Sequence, residues 1–176
     1  MLSPNELIKL LDIRGYDYEF HEHKALFTVE DSNKLRGEIA GLHSKNLFLK
    51  NKKNKFYLFS CEEFSKINLN TISKSLGLGN VSFAKEEYLL ELLGISPGSV
   101  PPFALLNNTE NNIDLYLEDK MYESEYINFH PLTNKATVTI KSRDFLEFMI
   151  ENKKKIHIFS TSNETIVKTY GYQQHY

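Results

Sequence analysis

Apolar positions change their spacing several times along this chain, and each change marks an element. Leu7, Leu10 and Leu11 share one helical face, and Ser3-Pro4-Asn5-Glu6 ahead of them has a capping serine, a proline suited to the first turn and a carboxylate where a capping box needs one. Gly15 ends that helix, and Tyr16 to His23 reads as a strand. Thr28-Val29-Glu30-Asp31 opens a second helix that stops by Gly37, which makes Thr28 a capping residue first and a ligand contact second. Residues 45–50 and 55–60 form two apolar runs around Asn51-Lys52-Lys53-Asn54, a hairpin with a polar loop and two central strands.

Further on, Asn68 to Leu76 and Glu86 to Leu93 predict short amphipathic helices, with a strand at Val81 to Ala84 between them. Residues 94–102 hold three prolines and two glycines, which no helix interior or sheet centre absorbs, so they form a rigid loop. Strands follow at Phe103 to Leu106, Ile113 to Leu117, Tyr126 to Phe129 and Ala136 to Ile140. Ser142 then caps a helix carrying Phe145, Phe148 and Met149, and Lys155 to Phe159 is a last strand. There is no regular alternation of strand and helix and no internal repeat. The expected fold is α+β, a single compact domain over residues 1–159 with a mostly antiparallel mixed sheet flanked by helices, followed by a loose polar tail over 160–176.

Composition narrows the function classes. At 176 residues the chain is long enough for one core, and 21 basic against 23 acidic residues exclude a uniformly cationic surface. The one local exception is Lys45, Lys50, Lys52, Lys53 and Lys55, five lysines without an acid among them, which read either as phosphate contacts or as a solubilised hairpin. A single cysteine, Cys61, allows no internal disulfide and no cysteine-based zinc site, which fits a reducing, cytoplasmic setting. The chain shows no apolar run of membrane-spanning length and no signal-peptide pattern, so a soluble protein without membrane contact is expected.

Glycine-rich phosphate cradles and the Gly-x-Ser-x-Gly elbow are absent, and Glu62 and Glu63 beside Cys61 disfavour a thiolate. His21 and His23 fall on one side of a strand. They read as surface histidines on an edge strand, or less readily, with His43, as metal ligands. Neither a cofactor nor a metal is expected.

Three stretches remain that folding alone does not require: "HSKNLFLK", with Lys45 and Asn46 at a strand start; "GSVPP" followed by "FALLN"; and "NFHPLTN" around His130. Together, in order and spacing, they resemble the YbaK/prolyl-tRNA-synthetase editing-domain superfamily from about residue 3 to 159, and most of all its free-standing ProX-type members, which deacylate mischarged alanyl-tRNA(Pro). The resemblance implies a trans-editing hydrolase acting on tRNA(Pro) mischarged with alanine, as a monomer, with prolyl-tRNA synthetase or an elongation factor as a docking partner. A synthetase pocket built for proline discriminates against a smaller amino acid by only ~1–3 kcal/mol, so a second, smaller sieve is useful.

On that resemblance the catalytic residues are Lys45, Gly98, Ser99 and His130. Thr28, Asn46, Val100 and Pro102 contact the substrate, and Lys45, Lys50, Lys52 and Lys53 touch nucleic acid. The Gly-x-x-x-Pro loop is expected to present the amides of Gly98, Ser99 or Val100 to the ester carbonyl, since Pro101 and Pro102 have none to offer. His130 shapes the pocket, bonds the amino group or positions water; Asn46 orients the substrate or satisfies its own neighbours. Deacylation of a cysteinyl or seryl ester, and a non-catalytic tRNA- or synthetase-associated module, are the rival readings.

Overall fold

The structure is a computed structural model that describes residues 1–25, 33–34 and 39–171. Its strands are β1 (Tyr18–Glu22), β2 (Leu42–Asn51), β3 (Phe56–Glu62), β4 (Val81–Phe83), β5 (Asp114–Glu118), β6 (Tyr126–Phe129), β7 (Ala136–Lys141), β8 (Ile156–Ser160) and β9 (Thr165–Tyr170). They join in the order β1-β7-β6-β2-β3-β5-β8-β9, with β4 on β2. The β1–β7, β6–β7, β2–β3, β2–β4 and β8–β9 pairs are antiparallel, while β2–β6, β3–β5 and β5–β8 are parallel. This is the α+β domain with a mixed sheet that the sequence predicts.

Helix α1 (Pro4–Ile13) carries the full capping box, with the Ser3 hydroxyl accepting from the Glu6 amide and the Glu6 carboxylate accepting from the Ser3 amide. Its buried Leu7 and Leu11 join the larger core, as do Phe145, Phe148 and Met149 of helix α5 (Ser142–Glu151). That core lies on the sheet face bearing Phe48, Leu58, Leu115, Ile127, Phe129, Val138 and Ile140. The opposite face of β2, β3 and β5 forms a smaller core of Leu49, Tyr57, Phe59, Cys61 and Tyr116 beneath Ile72 of helix α2 (Leu69–Ser75). Strand β3 is therefore covered on both faces and reads as a continuous apolar run. Two further helices are short, α3 (Glu86–Tyr88, continued as a π turn to Leu93) and α4 (Asp119–Glu123).

Three expectations differ. Phe103 to Leu106 is not a strand: Pro102–Asn107 forms a 3-10 helix, and Phe103 plugs the larger core edge-on against Phe129, Phe145 and Phe148. A short apolar run has no period of its own, so tertiary packing decides its conformation. Thr165–Tyr170, read as part of a loose polar tail, pairs antiparallel with β8 as an edge strand; its β-branched Thr165, Ile166, Val167 and Thr169 favour a strand, although most of its side chains are exposed. Ser142 starts its helix but does not cap it, because its hydroxyl donates to the carbonyls of Met121 and Tyr122.

Candidate active site

The site is organised where β2 meets β6. Gly41, at φ +89°, lets the chain pass so close that a Cβ there would lie 2.7 Å from the Tyr126 carbonyl oxygen. Leu42 then pairs with Ile127 and His43 with Asn128, and the parallel ladder stops there. Asn128 fastens the junction: its amide donates to the carbonyls of Ala40 (2.8 Å) and Leu42 (3.3 Å), and its oxygen accepts from Thr139 (2.5 Å). Two residues beyond the last pair come Lys45 on one strand and His130 just past the end of the other. Because side chains alternate with period two, His43, Lys45, Asn128 and His130 share the face turned away from the larger core. Thr137, Thr139, Glu19 and His21 continue this polar face across β7 and β1.

His130 Nδ1 lies 3.0 Å from the Ala136 carbonyl oxygen, which can only accept, so Nδ1 carries the proton and Nε2 presents its lone pair. Burial lowers the pKa of His130. The Ala136 carbonyl opposes the shift, while His23 and His43 reinforce it. The imidazole is thus held neutral near pH 7. His23 stands beside it, ring centroids 6.3 Å apart, bonded to the Lys24 carbonyl (2.8 Å) and the Thr137 hydroxyl (2.9 Å). In the turn after His130, Leu132 adopts φ +64°, a conformation that costs a branched residue ~1–2 kcal/mol and is here held by packing against the larger core. The Thr133 hydroxyl accepts from the Lys135 amide at 3.3 Å, tying the same turn.

Lys45 sits opposite Cys61 in the β2–β3 ladder and donates to the Ser65 carbonyl. The Ser65 hydroxyl donates in turn to Glu118 at 2.7 Å. Glu118 is fully buried and also accepts from the Glu62 amide (2.7 Å) and the Thr161 hydroxyl (3.1 Å), with the Lys120 ammonium 4.0 Å away. Cys61 is held as a thiol chiefly by burial and next by Glu118, with Lys45 opposing. The sequence attributes this to Glu62 and Glu63; the acid that acts is Glu118, brought in from β5. Only its place closing an apolar strand hints at Glu118 in the sequence.

The Gly98–Pro102 loop turns at Gly98, whose φ of +85° requires glycine or strain. Val100 packs against the larger core, and Pro101 and Pro102 are buried, so the loop is anchored from its C-terminal side. Among the described residues, the amides of Gly98, Ser99 and Val100 donate to no backbone carbonyl, and no hydrogen bond ties the loop to Lys45 or His130.

Other expected site residues are scattered. Asn46 faces the opposite side of β2 from Lys45, its oxygen accepting from the buried Ser60 hydroxyl (2.6 Å) and its amide donating to Ser44 (3.2 Å). Lys50 lies over the Tyr88 ring at 5.0 Å, and Lys52 and Lys53 occupy the exposed turn. At ~3.3 Å per residue that turn is on the order of 20 Å from Lys45, so the five lysines do not make one patch. Thr28 lies outside the described residues. Among the described residues, no three His, Cys, Asp or Glu side chains are placed to hold a metal ion, and no helix is long and apolar enough to cross a membrane.

Residues 23–148, most of the chain and all of the polar face beyond His21, match the family model described as the aminoacyl-tRNA editing domain. The chain belongs to the aminoacyl-tRNA editing domain family. Within it, the chain is 39% identical over 136 residues to the prolyl-tRNA synthetase associated domain-containing protein 1 of Bos taurus, covering 74% of this chain and 79% of that one. It is 29% identical over 153 residues to the prolyl-tRNA editing protein ProX of Acetoanaerobium sticklandii, covering 86% and 93%. The crystal structure of a candidate trans-editing enzyme for prolyl tRNA synthetase has the same fold, with a TM-score of 0.65 at 20% identity over 89% of this chain and 96% of that one.

Proposed function

We propose that this editing domain is a deacylase acting in trans on tRNA(Pro) mischarged with alanine. The observation that carries the reading is the placement of Lys45 and His130 on one polar face at the point where β2 and β6 part, with His130 held in its neutral, Nδ1-protonated form. An aminoacyl ester is already activated, so hydrolysis needs a positioned water and stabilisation of the developing oxyanion, with no covalent nucleophile. His130 Nε2 accepts a proton from water or from the terminal ribose hydroxyl, and the Lys45 ammonium holds a phosphate or ribose oxygen of the tRNA end. Amides of Gly98, Ser99 and Val100, uncommitted to backbone carbonyls among the described residues, supply the donors for the oxyanion. Cys61, buried and protonated, takes no part.

The names of two relatives support the prolyl-tRNA assignment, one an editing protein and the other synthetase-associated. The "NFHPLTN" likeness to ProX-type members favours alanine as the acyl group. The test is a panel of tRNA(Pro) charged with alanine, serine, cysteine or proline, following ester loss. Preferential loss of alanine supports the reading. Faster loss of serine or cysteine reassigns the acyl group, and inertness on all four with retained tRNA binding means a non-catalytic module.

A further inference from the structure

The polar face holds a second imidazole that the proposed reaction leaves unused. His23 follows β1, its amide donating to the Lys135 carbonyl at 3.0 Å, and its ring is engaged at both nitrogens. Nδ1 lies 2.8 Å from the Lys24 carbonyl oxygen, which can only accept, so Nδ1 carries a proton. Nε2 lies 2.9 Å from the hydroxyl of Thr137, a buried residue of β7. The neighbouring His130 is bonded through Nδ1 to the carbonyl of Ala136. Successive residues of β7 thus hold the two rings, Ala136 through its carbonyl and Thr137 through its side chain, with the centroids 6.3 Å apart and the planes tilted by 57°.

This pairing bears on His130 in two ways. A single hydrogen bond fixes one atom of the ring and leaves its plane free to turn, whereas a second ring packed beside it restricts the turn. Charge is the other. Among the described residues, the face around His130 carries His23, His21 and Glu19 from the β1 side and His43 and Lys45 from β2, with the uncharged Asn128, Thr137 and Thr139 between them. Glu19 stands 3.2 Å from His21, so one acid faces four imidazoles and an ammonium, and two adjacent imidazoliums are disfavoured. The pKa of His130, lowered first by burial and further by His23 and His43, agrees in sign. We infer that His23 is a positioning residue for His130: anchored by Thr137, it sets the plane of the His130 ring and competes with it for the one proton the pair accepts readily. The consequence for hydrolysis rests on the deacylase reading; the arrangement of the pair does not.

Two variants of the full chain separate ring from charge: His23→Phe keeps a flat ring without ionisable nitrogens, and His23→Ala removes both. Proton NMR of the protein without tRNA follows the His130 ring, assigned by its loss in His130→Gln. In His23→Phe the midpoint of that titration should rise, because the competing base is gone. The acid limb of single-turnover alanyl-tRNA(Pro) hydrolysis should move the same way. At about pH 8, where an ordinary imidazole is neutral, His23→Ala should hydrolyse the ester roughly 10- to 100-fold more slowly than wild type without a matching fall in affinity for uncharged tRNA(Pro). His23→Phe should recover part of that loss. A role in folding alone would leave the His130 midpoint where it is. An unmoved midpoint in folded His23→Phe, or wild-type turnover at about pH 8 in His23→Ala, would overturn the inference. Inertness of the wild type towards every charged tRNA would remove the deacylase reading, while the midpoint still decides whether His23 governs His130.

Discussion

Glu118→Ala should be the most destabilising single change near Lys45. The carboxylate is fully buried and accepts from the Glu62 amide, the Ser65 hydroxyl and the Thr161 hydroxyl, at 2.7, 2.7 and 3.1 Å. Alanine leaves these donors without their acceptor, each at ~1–3 kcal/mol where water cannot reach, and removes the charge facing Lys120. Partial relaxation and water entry lower the sum, giving a loss of ~3–5 kcal/mol. With a urea dependence of ~2 kcal/mol per molar, the unfolding midpoint should fall by on the order of 2 M. Glu118→Gln keeps the shape and one acceptor, so its loss should be roughly half as large. Because the Ser65 carbonyl receives the Lys45 ammonium, the Gln variant should also bind uncharged tRNA less tightly, while a stability-matched core variant such as Ile72→Val should not. A Glu118→Ala midpoint within 0.5 M of wild type, on the scale of that urea dependence, would refute the burial argument.

Other outcomes follow from the same geometry. Deacylation should fall as pH drops below 6.5 through the lowered pKa of His130, because the protonated ring loses its Nε2 acceptor. Stability shares this sign: the unfolded chain takes up the proton first, so His130 contributes fully above about 6.5 and progressively less as pH falls through its folded value. His130→Gln should abolish the histidine's part of both effects, which pH-rate profiles and urea midpoints would register. Gly98→Ala meets no atom within 4 Å, so its cost is backbone strain of ~1–2 kcal/mol at φ +85°, and it should slow turnover more than it weakens tRNA binding. Cys61 should resist thiol reagents in the native protein and react only on unfolding; rapid native labelling would contradict its burial. Removing residues 160–176 takes β9 from β8 and should lower the urea midpoint, where a loose tail would leave it unchanged.

Local signals in the sequence carried far. The Ser3–Glu6 box, the short helix after Asn68 and the hairpin around Asn51 are all formed, the last with the Asn51 side chain accepting from the Lys53 and Lys55 amides at 3.0 Å. What local pattern could not supply was which element packs on which. Phe103 becomes helical because Phe129, Phe145 and Phe148 surround it, and Thr165–Tyr170 becomes a strand because β8 offers an edge. The site divides in the same way. Lys45 and His130 are 85 positions apart by their numbers, and their common face follows from the β2–β6 register, which no spacing encodes. Asn46, adjacent to Lys45, is carried to the other face by strand alternation. Glu118 and Ser65 bear on Lys45 only through contacts between β3 and β5.

Single-turnover hydrolysis of alanyl-tRNA(Pro) against prolyl-tRNA(Pro), by the wild type and by Lys45→Ala, decides whether this domain is an alanine-selective deacylase that depends on Lys45. Rapid loss of alanine is expected, with the prolyl ester left close to its spontaneous rate and the alanyl rate reduced at least tenfold in a folded Lys45→Ala variant, on the order of the loss of one charge-assisted contact. Equal rates on the two esters, or full alanyl activity without the lysine, would contradict it.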